Sequence, residues 1–146
     1  KLFTEIDEKL PLLNVSPEAL KRVLFNLLDN AIKYTPPGGW LKLIAVSDEN
    51  NVRVTVQDTG CGIPEEEIPY IFERFYRVDK ARSRYLGGTG LGLAICKEII
   101  EHYGGKIGLE ESREEKGSTF YFILPMERSI QEYREELQAA ESPEPV

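Results

Sequence analysis

No helix or central strand can run through Pro36-Pro37-Gly38-Gly39, so the chain must change its local structure there. Upstream, Ser16 followed by Pro17 makes an N-cap and first-turn pair, which predicts a helix from residue 17 to about residue 34. Leu20, Val23, Leu24, Leu27 and Ala31 form one apolar stripe of that helix. Downstream, residues 40–46 and 52–56 are rich in apolar and β-branched side chains, and the polar stretch 47–51 between them predicts a hairpin turn. Helix, breaker and hairpin in this order call for a helix packed on a sheet.

The rest of the chain extends the pattern. Residues 2–6 and 10–15 read as short strands flanking a turn. Pro64 with Glu65, Glu66 and Glu67 begins a short helix with an acidic first turn. Residues 76–90 have no clean periodicity and end in glycines, which predicts a flexible loop. Leu91, Ile95 and Ile99 recur at helical spacing ahead of a C-cap at Gly104-Gly105. Residues 106–111 and 118–124 read as two more strands. Ile130, Tyr133 and Leu137 mark one face of a last helix, in a tail (127–146) that is helical or disordered and separate from the domain at 1–126. The expected fold is an α/β two-layer sandwich. A mixed, mostly antiparallel sheet of about five strands is covered on one face by about three helices.

Composition narrows the function. A length of 146 residues suits one domain with a substantial core. A net charge of −7 argues against nucleic-acid binding, which draws on Lys and Arg to neutralise phosphates. The basic residues nevertheless gather at Arg74, Arg77, Lys80, Arg82 and Arg84, either a local anion site or a solvated basic loop. Cys61 and Cys96 lack metal-ligand spacing and read as a reduced intracellular pair. No apolar run could span a bilayer, and no leader opens the sequence. With Lys1 first and Met126 the only methionine, the chain reads as a domain separated from its neighbours.

Four motifs carry the chemistry. Asn26, Asn30 and Lys33 fall within an arc of about 60° on the first helix. Carboxamide oxygens are hard ligands suited to Mg²⁺, and a lysine meets phosphate as a point charge; a solvated polar face is the plainer alternative. Asp58-x-Gly60-x-Gly62 follows a strand, where a carboxylate can accept from an exocyclic amine while glycines let backbone approach a flat ligand. Asp58-Thr59-Gly60 also matches the aspartic-protease triplet, which in a single copy would require a homodimer. Gly87 to Gly92, Gly-Gly-Thr-Gly-Leu-Gly, enters a helix and offers N–H groups to phosphate. It fits neither the dinucleotide fingerprint nor the P-loop. Phe72 and Phe75, three residues apart, read as an ordinary core pair.

The order of these motifs resembles the N, G1, F and G2 boxes of the histidine-kinase ATP-binding domain. The resemblance covers residues 1–126 and includes Asn-Ala-Ile-Lys-Tyr-Thr at 30–35, Phe-Tyr-Arg-Val-Asp at 75–79 and Gly-Ser-Thr-Phe at 117–120. It implies the α/β sandwich shared with type II topoisomerases, mismatch-repair ATPases and certain chaperones. It further implies ATP and Mg²⁺ as cofactors, with Asn30 as the metal ligand and Asn26 in support. Lys33 and Arg77 become phosphate contacts, and Tyr34 a wall of the pocket. Asp58 becomes the reader of the adenine amine, flanked by Gly60, Gly62 and Ile63, with Thr119 acting through water. Gly88, Thr89, Gly90, Leu91 and Gly92 become the hinge and phosphate-facing end of an ATP lid.

Hydrolytic members of the wider fold carry a water-activating glutamate one turn before the metal-binding asparagine. Asn26 stands there instead and cannot act as a base, so transfer is expected over hydrolysis. The lone histidine, His102, reads as a helix-end residue rather than the phospho-acceptor. The acceptor is expected on a separate dimerisation domain, with a response regulator as the next partner. No nucleic-acid partner and no membrane insertion by this fragment are expected; the domain should be monomeric and cytoplasmic. A serine kinase of the anti-sigma-factor type and a non-catalytic nucleotide sensor are the alternatives on the same fold.

Overall fold

The computed structural model describes residues 1–76, 92–113, 116–126 and 138–140. Its elements run β1 (Leu2–Ile6), α1 (Pro17–Tyr34), β2 (Leu41–Ser47), β3 (Asn51–Asp58), a 3₁₀ turn (Glu65–Tyr70), α2 (Gly92–His102), β4 (Lys106–Arg113) and β5 (Gly117–Pro125). The five strands form one sheet in the order β1-β2-β3-β5-β4, in which only the β1–β2 pair is parallel. A parallel neighbour needs a crossover, and α1 supplies it. The mixed, mostly antiparallel five-strand sheet expected from the sequence is therefore present.

Helix α1 begins as its capping pair dictates: Ser16 Oγ accepts from the Ala19 N–H at 3.5 Å, and Pro17 occupies the first turn. Val23, Leu27 and Ala31 are buried, with Leu20 and Leu24 packed against them. Helix α2 ends in a Schellman arrangement, with Gly104 at φ +77 and the Gly105 N–H donating to the Ile100 carbonyl. Both helices lie on one face of the sheet, over a core that includes Val56, Phe120, Phe122 and Leu124.

Two expectations change and a third is sharpened. Residues 10–15 do not form a strand: Pro11 lacks a donor, and Leu13 and Val15 reach the core from an extended lead-in to α1 instead. The expected short helix with an acidic first turn is present as a 3₁₀ helix, Glu65–Tyr70, in which Pro69 removes the donor that would continue it as α-helix. Phe72 packs edge-on against Phe120 at 6.3 Å, but Phe75 is 71% exposed at φ +64, so the two phenylalanines are not a core pair. The loop at 76–90 and the tail helix around Ile130, Tyr133 and Leu137 fall outside the described residues, Tyr76 excepted.

Candidate functional site

Alternation along β3 turns Val52, Val54, Val56 and Asp58 toward the helices, so the strand ends by pointing a carboxyl group into the core-facing layer. Asp58 is 8% exposed. Its Oδ1 accepts from two backbone donors, the Gly60 N–H at 2.8 Å and the Ser118 N–H at 3.2 Å. Burial pushes its pKa above the usual carboxylate range, and the two N–H bonds oppose that rise.

Close approach of backbone makes this cradle. A Cβ on Gly60 would come within 2.5 Å of the Tyr34 carbonyl oxygen, and one on Gly117 (φ +114) would run into the Asp58 carbonyl. The Cys61 N–H donates to that same Tyr34 carbonyl at 3.1 Å, which ties the turn after β3 to the end of α1. Gly62 sits at φ +69, and the next N–H, that of Ile63, donates to Ser112 Oγ at 2.8 Å. Ser112 Oγ in turn lies 2.9 Å from Ser118 Oγ. Thr59 is occupied inside its own chain: its hydroxyl accepts from the Trp40 N–H at 2.9 Å, capping the start of β2.

On α1, Asn26, Asn30, Lys33 and Tyr34 are all half-buried, at the edge of the apolar stripe. Lys33 Nζ pairs with Asp29 Oδ2 at 2.8 Å. Asn26 Nδ2 donates to the carbonyl of Gly92, the first residue of α2, at 3.5 Å. Helix α1 is thus joined by direct hydrogen bonds to the turn at 58–63 through its last residue and to the start of α2 through its middle. Arg77, Gly88, Thr89, Gly90 and Leu91 lie outside the described residues.

Gln57 pairs with Thr119, and Val56 with Phe120, so Thr119 belongs to the sheet face opposite Asp58. Ser118, one position earlier, is buried and donates its N–H to Asp58. Period-two counting back from the core residue Phe120 could have found it. Ser112 gave no sequence signal, because its role depends on a hairpin register with a bulge between Leu109 and Glu111.

His102 is the exposed last residue of α2, with its ring edge-on to Tyr103 at 5.0 Å. Among the described residues no cluster of three or more His, Cys, Asp or Glu side chains could hold a metal. A groove of about 480 Å³ lined by Lys1, Phe3, Gly38, Gly39 and Trp40 contains none of the expected site residues.

Residues 15–128 match the sequence profile of the histidine kinase-, DNA gyrase B- and HSP90-like ATPases. The chain belongs to that family. Membership makes it an ATP-binding domain of this ATPase family, homologous to the catalytic domains of sensor histidine kinases. It is 45% identical over 126 residues to the sensor histidine kinase WalK of Bacillus subtilis (strain 168), covering 85% of this chain and 19% of WalK. It is 40% identical over 129 residues to the adaptive-response sensory kinase SasA of Synechococcus elongatus, covering 88% of this chain and 33% of SasA. The chain thus spans a fifth to a third of the length of these relatives. The solved mycobacterial sensor histidine kinase MprB aligns with a TM-score of 0.74 at 32% identity, over 85% of this chain and 83% of that one. The catalytic domain of histidine kinase ThkA aligns at 0.72 and 38%, over 85% and 78%. No helix among the described residues is long and apolar enough to cross a membrane.

Proposed function

We propose that this ATPase-family domain holds Mg·ATP and donates the γ-phosphoryl group to a histidine on a dimerisation domain outside this chain. The observation that carries the reading is Asp58, a buried carboxyl group fixed through one oxygen by the Gly60 and Ser118 N–H groups. The other oxygen is then left to accept from the adenine amino group. Gly60, Gly62 and Ile63 flank the base, with Ser118 beside Asp58 and Tyr34 as a wall. A full-length ShkA structure in complex with AMPPNP, 29% identical to this chain at a TM-score of 0.74, supports a nucleotide at this fold's site.

Asn30 is the proposed metal ligand. A carboxamide oxygen is a hard ligand, and Mg²⁺ keeps several waters and leans on phosphate oxygens, so Asn30 can hold it together with the triphosphate. Bound there, Mg²⁺ supplies charge neutralisation on the phosphates. Lys33 can leave Asp29 for a phosphate at small expense, since exposed i,i+4 ion pairs contribute only about 0.3–0.5 kcal/mol. Arg77 and the Gly88, Thr89, Gly90, Leu91 and Gly92 run are assigned to the phosphate side on the sequence motif. In the transfer the bond from the γ-phosphorus to the β–γ bridging oxygen breaks and a bond to an imidazole nitrogen forms. ADP leaves, and the imidazole proton is released. With Asn26 where a base would stand, hydrolysis is slow.

The acceptor histidine, a response regulator, a cytoplasmic setting, a monomeric isolated domain and a domain boundary at residue 126 complete the proposal. The test is calorimetry with Mg·ATP, then γ-labelled ATP with the dimerisation domain of the full-length protein added. Micromolar-range binding and an acid-labile, alkali-stable phosphoryl group on that partner are expected. Absent ATP affinity, or label on serine, overturns the reading.

A further inference from the structure

Helices α1 and α2 meet through two contacts spaced one turn apart on each helix. The Cys96 thiol donates to the Val23 carbonyl at 3.8 Å, and the Asn26 Nδ2 donates to the Gly92 carbonyl at 3.5 Å. Val23 and Cys96 are fully buried, so this junction is part of the core rather than a surface touch. Burial raises the Cys96 thiol's pKa to about 11, and the neighbouring Asn26 side chain opposes the rise.

The chemistry of the partners fixes the orientation of Asn26. A carbonyl oxygen only accepts, so the NH₂ end of the carboxamide must face Gly92. Its Oδ1 is then turned away from the Gly92 carbonyl, on a residue whose helical position shares an arc with Asn30 and Lys33. A Cβ at Gly92 would sit 3.9 Å from Asn26 Cγ, ordinary contact distance, so the Asn26 side chain lies directly against the start of α2. We infer that Asn26 is a positioning residue that fixes the start of α2 against α1 in the nucleotide-free domain. One side chain thereby faces the phosphate site proposed above and also sets where α2 begins. Only this link to phosphate rests on the proposed function; the tether itself does not.

Amide hydrogen exchange on the nucleotide-free protein tests it, because a role confined to metal or phosphate is silent without ligand. The amides to follow are those of residues 96–99, the first in α2 with intrahelical acceptors. Asn26→Asp keeps the shape but presents an acceptor to the Gly92 carbonyl; Asn26→Ala removes the contact. Both are expected to exchange about tenfold faster at 96–99, with the β3 and β5 amides unchanged. Asn30→Ala, which has no such bond to α2, should leave these amides at the wild-type rate. Wild-type rates in both Asn26 variants overturn the inference, and so does an equal acceleration in Asn30→Ala. ATP calorimetry on the same wild-type sample keeps the two readings apart: no ATP binding ends the proposed function and leaves the tether standing.

Discussion

Asp58 is 8% exposed and receives two backbone N–H bonds on one oxygen, in a cradle where neither Gly60 nor Gly117 has room for a side chain. Lys33, in the last turn of α1, is instead half-buried and paired with Asp29, which is itself exposed. The first group is held by backbone from one neighbouring strand and a turn; the second by one flexible side chain on its own helix. A base is a rigid, flat ligand whose recognition profits from fixed donors and acceptors. A triphosphate changes charge and shape during transfer, and flexible ammonium stems can follow it. The proposed pocket is therefore preorganised at its adenine end and adjustable at its phosphate end.

Replacing Asp58 by Asn tests the rigid end most severely. The Asn oxygen can take over both backbone donors, but its NH₂ then meets the adenine NH₂. Adenosine and ATP should bind about 100-fold more weakly by calorimetry. The folded domain should not suffer. The Asp58 pKa is raised on folding, so its ionised form weighs against the native state as pH rises through that raised value. At neutral pH the Asn variant should melt at the wild-type temperature or above it. A large loss of stability together with the loss of binding would remove the distinction.

Gly117→Ala attacks the cradle rather than the acceptor. A Cβ there meets the Asp58 carbonyl from a backbone at φ +114, and a loss of about 1–3 kcal/mol in urea unfolding is expected. Lys33→Ala tests the adjustable end. ATP affinity should fall about tenfold while adenosine affinity and the melting temperature hold, because the Asp29 pair contributes only about 0.3–0.5 kcal/mol. The smallest effect is pH dependence. Adenosine affinity should decline on acidification with a midpoint above the ordinary carboxylate range, and this acid limb should vanish in Asp58→Asn.

Much of the fold was legible because local chemistry and tertiary packing agree. Ser16-Pro17 begins α1, the stripe through Val23, Leu27 and Ala31 is its buried face, and Gly104-Gly105 ends α2. Legibility failed where a residue's part depends on register or on a neighbour distant in sequence. Leu13 and Val15 look strand-like but pack inward without a strand partner, and Phe75 copies the spacing of a core pair while facing outward. Thr119 and Ser118 differ by one position, which in a strand is a change of face. The residue types around Asp58 were readable; the Ser112–Ser118 support and the bond from Asn26 to Gly92 were not, since they join separate segments.

The hydrogen bond from Ser118 to Asp58 joins residues 60 positions apart, across strands that pair only after the 3₁₀ turn, α2 and β4 have been accommodated between them. Closing so long a loop comes late in folding, whereas the β2–β3 and β4–β5 hairpins are local. The cradle around Asp58 is therefore absent from any intermediate made of those hairpins alone. Nucleotide can engage only the finished domain, so its presence should slow unfolding and leave the refolding rate almost unchanged.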